Sequence, residues 1–373
     1  MNHKHLLAGV AVSALMTAGT AFAASHGNAL EAKVAAQAEM IDALSKKVES
    51  MSGASEGVAK GVKGVSLKVS GQINRAVMFV NDANDNSAFN FVDNDASSTR
   101  IRWDASAKVS DSTTVGSRLE MEMESNTSAA AVLNGNAGGN AFVARHAYVY
   151  VKGSFGTITT GQQGEATEGL LHSSFNYASL AGVNPEDTTG IANAGVNFLS
   201  FGDGGRQDAI RYDTPNFGGA KASISARDNG DVTAAIRYSG KMGGIGILAA
   251  LGYEENVGGD PLYAGSFGID FGPIALNGSF ADELDDNNDD RFYWALGLGH
   301  KGNYLDIGST GLGVQYMVNN GGFDGNGAVK ELNFGVVQGV APGAEAYAML
   351  AFHSGLTGVD NAVVGLMGMR IKF

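Results

Sequence analysis

Between Val65 and Phe373 the sequence keeps returning to one pattern, in which apolar and polar residues alternate and the polar ones are often charged. In one run Ile101, Trp103, Ala105, Ala107 and Val109 share a face, and Arg100, Arg102, Asp104, Ser106 and Lys108 share the other. In the next, Val115, Leu119, Met121 and Met123 oppose Arg118, Glu120, Glu122 and Glu124. Successive side chains of a β-strand point to opposite faces, so each run presents an apolar face and a charged one. A soluble core would have to bury those charges strand after strand. A wall with lipid outside and water inside has no such cost.

Such runs are predicted near 65–80, 98–109, 114–125, 141–152, 156–163, 208–215, 220–227, 231–239, 244–254, 261–271, 274–282, 291–301, 309–319, 329–338, 343–353 and 362–373, sixteen in all. An even count suits a bacterial single-chain barrel, and sixteen strands leave room for an aqueous channel. Connections alternate in length. Ser110 to Thr113, Gly153 to Phe155 and Asn216 to Gly219 are short, whereas Asn81 to Ser97 and Asn126 to Asn140 are read as longer polar loops. The last run ends on Phe373 with every second residue apolar or glycine, and pairing with the first run would remove a free edge. The expected fold is an all-β transmembrane antiparallel barrel with a short helical segment before it.

Composition narrows the setting. Residues 1–23 have a basic start, an apolar core from Leu6 to Met16 and the small-x-small ending Ala21-Phe22-Ala23, which reads as an export signal. The apolar core is too short to span a bilayer. The chain is cysteine-free and carries a net charge of -13, which argues against a nucleic-acid partner and against disulfide stabilisation. A hydropathy near zero fits a soluble all-β protein and a membrane barrel equally.

Residues 24–52 read as a helix. Leu30, Val34, Gln37, Ile41, Leu44, Val48 and Met51 make a heptad seam with one polar position, Asn28 is a candidate N-cap, and the glycines of 53–64 make a flexible linker. Three readings fit: a short oligomeric coil, most naturally trimeric; a single helix packed on the barrel end; or a plug in the lumen.

Residues 164–207 break the strand pattern for 44 positions, a length that in a compact domain marks a functional loop or a wrong assignment of elements. With this loop, Val69-Ser70-Gly71-Gln72-Ile73-Asn74-Arg75, Gly153 to Gln162, and Arg211-Tyr212-Asp213-Thr214-Pro215-Asn216-Phe217-Gly218-Gly219 follow one another in an order and spacing that resemble the general porins of Gram-negative bacteria. The terminal Phe373 fits that family's assembly signal, and the heptad segment resembles the periplasmic coil of one porin branch.

The resemblance implies a homotrimer in the outer membrane, in contact with lipid and lipopolysaccharide. It implies a passive channel for small hydrophilic solutes and ions, with no cofactor and no enzymatic activity. It also implies that the third outer loop folds into the barrel and sets acids against a wall of arginines. Arg100, Arg145 and Arg211 fit that wall, Arg102 adds a rung of the same parity as Arg100, and Glu186 and Asp187 are the loop acids expected at the narrowest point. Gln72 leaves one rung uncharged. An inward Arg145 would put His146, Tyr148 and Tyr150 on the outer face under strict alternation.

Two further features bear on function. Arg75 falls among the outward apolar residues of its strand, where a charge at mid-membrane depth costs about 2–4 kcal/mol, so a subunit interface or a membrane rim is expected for it. The acidic run Asp282 to Asp290 lacks the glycine and terminal glutamate of a calcium loop and reads as a solvated outer loop or a divalent-cation bridge to lipopolysaccharide phosphates. An outer-membrane lipase or protease would need a nucleophile–base constellation at the rim, which the sequence does not show. A structural or adhesive protein gripping the cell wall through the N-terminal coil is the alternative to a channel.

Overall fold

The computed structural model describes residues 64–82, 87–130, 140–172, 174–183, 204–255, 260–283, 291–320, 328–355 and 361–373. All described residues belong to one compact unit within Ala59–Phe373. The expected export signal and heptad helix lie outside the described residues.

The strands are β1 (Ser66–Asp82), β2 (Ser87–Asp93), β3 (Arg100–Lys108), β4 (Thr114–Ser125), β5 (Asn140–Gly153), β6 (Gly156–Gly164), β7 (Arg206–Asp213), β8 (Ala220–Arg227), β9 (Val232–Met242), β10 (Ile245–Glu255), β11 (Leu262–Asp270), β12 (Ile274–Glu283), β13 (Arg291–Leu305), β14 (Gly308–Asn319), β15 (Val329–Ala341), β16 (Ala344–Ser354) and β17 (Asn361–Lys372). Every neighbouring pair is antiparallel, and β17 returns to β1 with Gln72 opposite Lys372 and Asp82 opposite Ala362. The seam is completed by the last residue: Phe373 and Gly71 exchange backbone hydrogen bonds of 2.9 and 3.0 Å. The sheet therefore closes on itself, first strand to last.

Seventeen segments occupy sixteen wall positions, because β2 and β3 lie end to end on the same flank of β1. Residues 75–81 of β1 pair with β2 and residues 66–72 pair with β3. This corrects the expectation of an outer loop from Asn81 to Ser97, most of which is strand. Ser87-Ala88-Phe89-Asn90-Phe91 alternates, but the Asn and Asp residues on both sides of it mask the run as a loop.

Between β2 and β3 the chain leaves the wall and turns inward. Asn94 and Ser98 are buried, and Gln72 donates to the Ser97 and Ser98 carbonyls at 2.8 Å. The ladder to β4 resumes on both sides of this insert, through Asp93 N to Asn126 O and Met123 N to Thr99 O, each 2.9 Å. Gln72, expected as an uncharged rung, therefore holds a second inward element in place.

The two faces follow the sequence alternation. Ile73, Val77, Leu119, Met123, Ile210, Ile236, Leu251 and Met367 are exposed, while Asn74, Glu120, Glu122, Thr233, Asn277 and Gln315 of the opposite parity are buried. Exposed aromatics collect near both ends of the outer face, with Phe155, Phe217 and Phe271 beside the short turns and Phe89, Phe142 and Phe352 towards the other rim. This is the girdled apolar band of an outer-membrane barrel. Turns of two to six residues join the strands at one end, and connections of four to forty-one residues at the other.

Arg75 faces outward, as its position requires, but it is not alone there. Its guanidinium lies 3.6 Å from the buried Asp93 carboxylate and donates to the Ser125 carbonyl at 2.7 Å, at the seam where β2 meets the end of β4.

Candidate functional site

The connection from β6 to β7 enters the barrel. Three arginines on three successive strands hold its root. Arg211 of β7 donates to the carbonyls of Gly164 and Glu165 at 3.0 and 2.8 Å, and Arg237 of β9 to those of Ala166 and Glu168 at 2.8 and 2.6 Å. Arg227 of β8 grips the Glu165 carboxylate itself, while also meeting Asp231 at 2.7 Å and Glu254 at 3.5 Å. Glu165 is 1% exposed. Backbone is served as well: Ala166 N donates to Ser225 Oγ at 2.9 Å and to Thr233 Oγ1 at 3.1 Å. A loop buried inside a wall needs such partners for its polar groups.

From this root the loop runs along the inner wall. Leu170 and Leu171 pack among Ala235, Ala250, Ala264 and Tyr293. Phe175 N donates to Asn277 Oδ1 at 2.6 Å, and Gly182 O accepts from Asn333 at 3.0 Å. Leu180 joins Met349, Val364 and Leu366, and its carbonyl accepts from Asn94 of the inward insert at 2.8 Å. The described part of the path thus passes β8 to β17 and touches the β2–β3 insert. Several wall positions under it are glycine because the loop comes too close for a side chain. A Cβ on Gly311 would lie 2.1 Å from the Tyr177 carbonyl oxygen, and one on Gly335 would lie 2.5 Å from Val183 Cγ2. Tyr177 is capped by Lys301, whose Nζ lies 4.6 Å from the ring centroid, and desolvation raises its phenol above the ordinary value.

The wall facing this loop holds three of the four predicted arginines. Register sets Arg100 opposite Glu122 and Arg102 opposite Glu120. Arg102 Nε meets Glu120 Oε2 at 2.5 Å, Arg145 Nη1 meets Glu122 Oε2 at 2.6 Å and Glu120 Oε1 lies 3.2 Å from Arg145 Nε. Arg100 reaches both carboxylates, at 3.5 and 3.9 Å. Three guanidiniums against two carboxylates leave this cluster one positive charge in excess (3 - 2 = +1). Arg102 is the most open to the lumen, with a third of its side chain exposed. Charge-assisted pairs of this kind fix the side chains in one orientation.

Arg145 stands at a β-bulge. The β4–β5 register passes from Glu120 opposite His146 to Met121 opposite Ala144, so Arg145 is the extra residue. Arg145 and His146 both point inward, and the parity beyond the bulge is reversed. Tyr148 and Tyr150 therefore face the lumen, opposite Arg118 and Gly116, which corrects the outward placement that strict alternation gave them. Nothing in the local sequence Ala144-Arg145-His146-Ala147 marks the extra residue.

Below this cluster lies a polar cavity of about 550 Å³, lined by Arg118, His146, Tyr148, Tyr150, Lys152 and Lys221 from the wall and by Glu168 from the loop root. Arg211 lines it too, so of the predicted residues Arg100, Arg102 and Arg145 form one cluster while Arg211 belongs to the loop root. Glu186 and Asp187 lie outside the described residues. The residues that sequence reasoning did not assign are Arg227 and Arg237, and the roles of Glu120 and Glu122 as arginine partners. The glutamates were legible in principle, since a short β3–β4 turn places them directly across from Arg102 and Arg100. Among the described residues no group of histidine, aspartate and glutamate side chains could hold a metal ion.

A family model described as Gram-negative porin matches residues 9–357. Among solved structures, an anion-selective porin from Comamonas acidovorans is similar at 20% identity and a TM-score of 0.60, over 83% of this chain and 100% of that one. OmpT of Vibrio cholerae in its trimer form is similar at 15% identity and a TM-score of 0.54, over 83% and 100% of the two chains. OmpF of Salmonella typhi in complex with daunomycin is similar at 11% identity and a TM-score of 0.53, over 83% and 98%. At these identities the likeness is one of fold. No curated protein matches the sequence.

Proposed function

The chain belongs to the Gram-negative porin family and is an outer-membrane channel protein, not an enzyme, and on that premise we propose that it passes small hydrophilic solutes and ions through a lumen narrowed by the connection 164–207. The observation that carries this reading is the course of residues 165–183 along the inner wall from β8 to β17, opposite the arginine–glutamate cluster. A channel so arranged has fixed charge on one side of a narrow aqueous passage. Such a field orients dipolar solutes and disfavours apolar ones of equal size.

Arg100, Arg102, Arg145 and Arg211 supply the positive side in this reading, and Glu186 and Asp187 the negative side. Residues 1–23 serve as export signal, 24–52 as periplasmic coil and 53–64 as linker. The working unit is a homotrimer embedded in outer-membrane lipid and lipopolysaccharide. Support for association comes from the outer face of β3 to β6. It holds an apolar groove of about 510 Å³ lined by small and branched residues, among them Ala105, Ala107, Val115, Val149 and Val151. A groove of this kind on a membrane-facing wall suits close contact with a second copy, because small residues let walls approach.

Purified protein in a planar bilayer is expected to give ohmic, stepwise conductances in groups of three. Glu186→Gln with Asp187→Asn is expected to shift the zero-current potential in a salt gradient towards anions. Absence of channels defeats the reading, and an unchanged potential moves the narrow point elsewhere along the loop.

A further inference from the structure

The lumen charges are sorted along the barrel axis. In the barrel, lysines gather at the inward positions nearest the short turns: Lys108 on β3, Lys152 on β5, Lys221 on β8, Lys241 on β9, Lys301 on β13 and Lys372 on β17. Their inward parity follows from their strands, where Ser223, Ser225, Thr233, Ala235, Tyr293 and Leu366 share it and are buried. Lys108 and Lys152 flank Thr114 in one register row, which sets two cations on alternate strands of the same wall.

Acids oppose part of this collar. Lys221 lies 3.2 Å from Asp213, Lys301 3.4 Å from Asp270 and Lys372 3.0 Å from Glu345, while Asp111 and Asp306 sit in the short turns. Among the described residues Lys108, Lys152 and Lys241 form no ion pair, and all three are exposed. At the opposite end all but one of the connections between strands carry aspartates or glutamates, and none carries lysine or arginine.

We propose that the short-turn vestibule, formed by this lysine collar and the polar cavity above it, is a docking site for small multivalent anions of the oligophosphate type, reached from the periplasmic side. Short turns face the periplasm in barrels of this class. The cavity of about 550 Å³ is lined by Lys152 and Lys221 and also presents Arg118 and Arg211. Its own acids are already engaged: Asp104 holds Arg118 at 2.7 Å, Asp213 holds Arg211 at 2.8 Å and Glu168 holds Arg206 at 2.7 Å. An anion arriving there meets the Lys152 ammonium, which holds no ion pair, the Lys221 ammonium shared with Asp213, and tyrosine hydroxyls that donate. In sequence, most connections at the other end offer an arriving anion acids and no base. This inference rests on the channel reading and adds a sidedness that a uniform pore would lack.

The test uses the full chain in a planar bilayer, with inorganic tripolyphosphate as the probe. Orientation is read from Ser110→Cys in the β3–β4 turn, because the chain has no other cysteine and an impermeant thiol reagent reaches it from one side only. Tripolyphosphate on the short-turn side is expected to reduce current at concentrations about ten-fold lower than on the other side in 0.1 M salt. The asymmetry is expected to fade at 1 M salt, where the screening length falls to about 3 Å. The triple variant Lys108→Gln, Lys152→Gln, Lys241→Gln should conduct and lose the asymmetry. Equal block from both sides, or an asymmetry that survives the triple variant, overturns the proposal. A protein that forms no channel defeats the channel reading instead, so the two failures are distinguishable.

Discussion

Arg227→Ala is expected to lower the stability of the folded barrel by roughly 3–5 kcal/mol, the usual loss when one partner of a buried ion pair is removed. The guanidinium is the only cation within ion-pair distance of Glu165 among the described residues, and it also faces Asp231 and Glu254. Without it three carboxylates converge on a space closed by the loop root, where Glu165 is 1% exposed. The defect should also show in the channel, because Glu165 ties the loop to β8. Brief closures and a variable conductance are expected where the parent gives steady steps. The double variant Arg227→Ala with Glu165→Gln should recover a measurable part of the loss, since it removes one of the stranded charges, and a double-mutant cycle reads that coupling. Thermal unfolding followed by far-ultraviolet dichroism measures the stability. A loss no larger than that of an exposed arginine would show that the root is held by its backbone contacts alone.

The second large effect concerns the seat of the loop. Gly311→Val sets a branched side chain where the Tyr177 carbonyl oxygen would be 2.1 Å from Cβ, and Gly335→Val does the same against Val183 and Ala181, at 2.5 and 3.0 Å. The first clash is with the loop backbone, and the second with short side chains of the loop that are themselves buried. Overpacking of this kind costs about 1–3 kcal/mol, and the cheapest relief is for the loop to lift off the wall towards the axis. Single-channel conductance is therefore expected to fall in both variants. Gly365→Ala is the control: its Cβ meets nothing closer than 3.9 Å, and a change within about 0.5 kcal/mol is expected. Equal behaviour of Gly365→Ala and Gly311→Val in the bilayer would mean that the loop does not bear on β14.

These two cases show what the sequence does and does not disclose. The strands were legible because lipid and water impose opposite demands on neighbouring residues, and Ile101 to Val109 or Val115 to Glu124 can satisfy both only as strands. The inward faces of Arg100 and Arg102 followed from the same rule. The rule fails where the backbone departs from strict pairing. The bulge at Arg145 reverses parity for His146, Tyr148 and Tyr150, and a bulge is a property of the register between β4 and β5, not of either strand alone. The insert between β2 and β3 hid in an Asn- and Asp-rich stretch whose composition is that of a loop, although Phe89 and Phe91 belong to the wall.

The loop's path was the least visible. Glu186 and Asp187, the acids expected at its narrowest point, lie outside the described residues. Glu165 near the strand end is the one seen buried and paired, because a loop must first be fixed at its root before its tip can be placed. The glycines of the inner wall look in the sequence like any other strand glycine. Their role appears only when the loop is laid over them, since a missing Cβ leaves no mark in an alternation pattern.

The direct test of an inward-folded loop that narrows the pore is the single-channel conductance of a variant in which residues 174–203 are replaced by a short Gly-Ser linker. The three-arginine root and the wall strands remain in that variant, and unchanged heat-induced mobility on a denaturing gel would confirm a folded barrel. Conductance is predicted to rise clearly above that of the parent, together with the size of the largest neutral polymer that enters the pore. A folded barrel with unchanged conductance and unchanged polymer exclusion would contradict it.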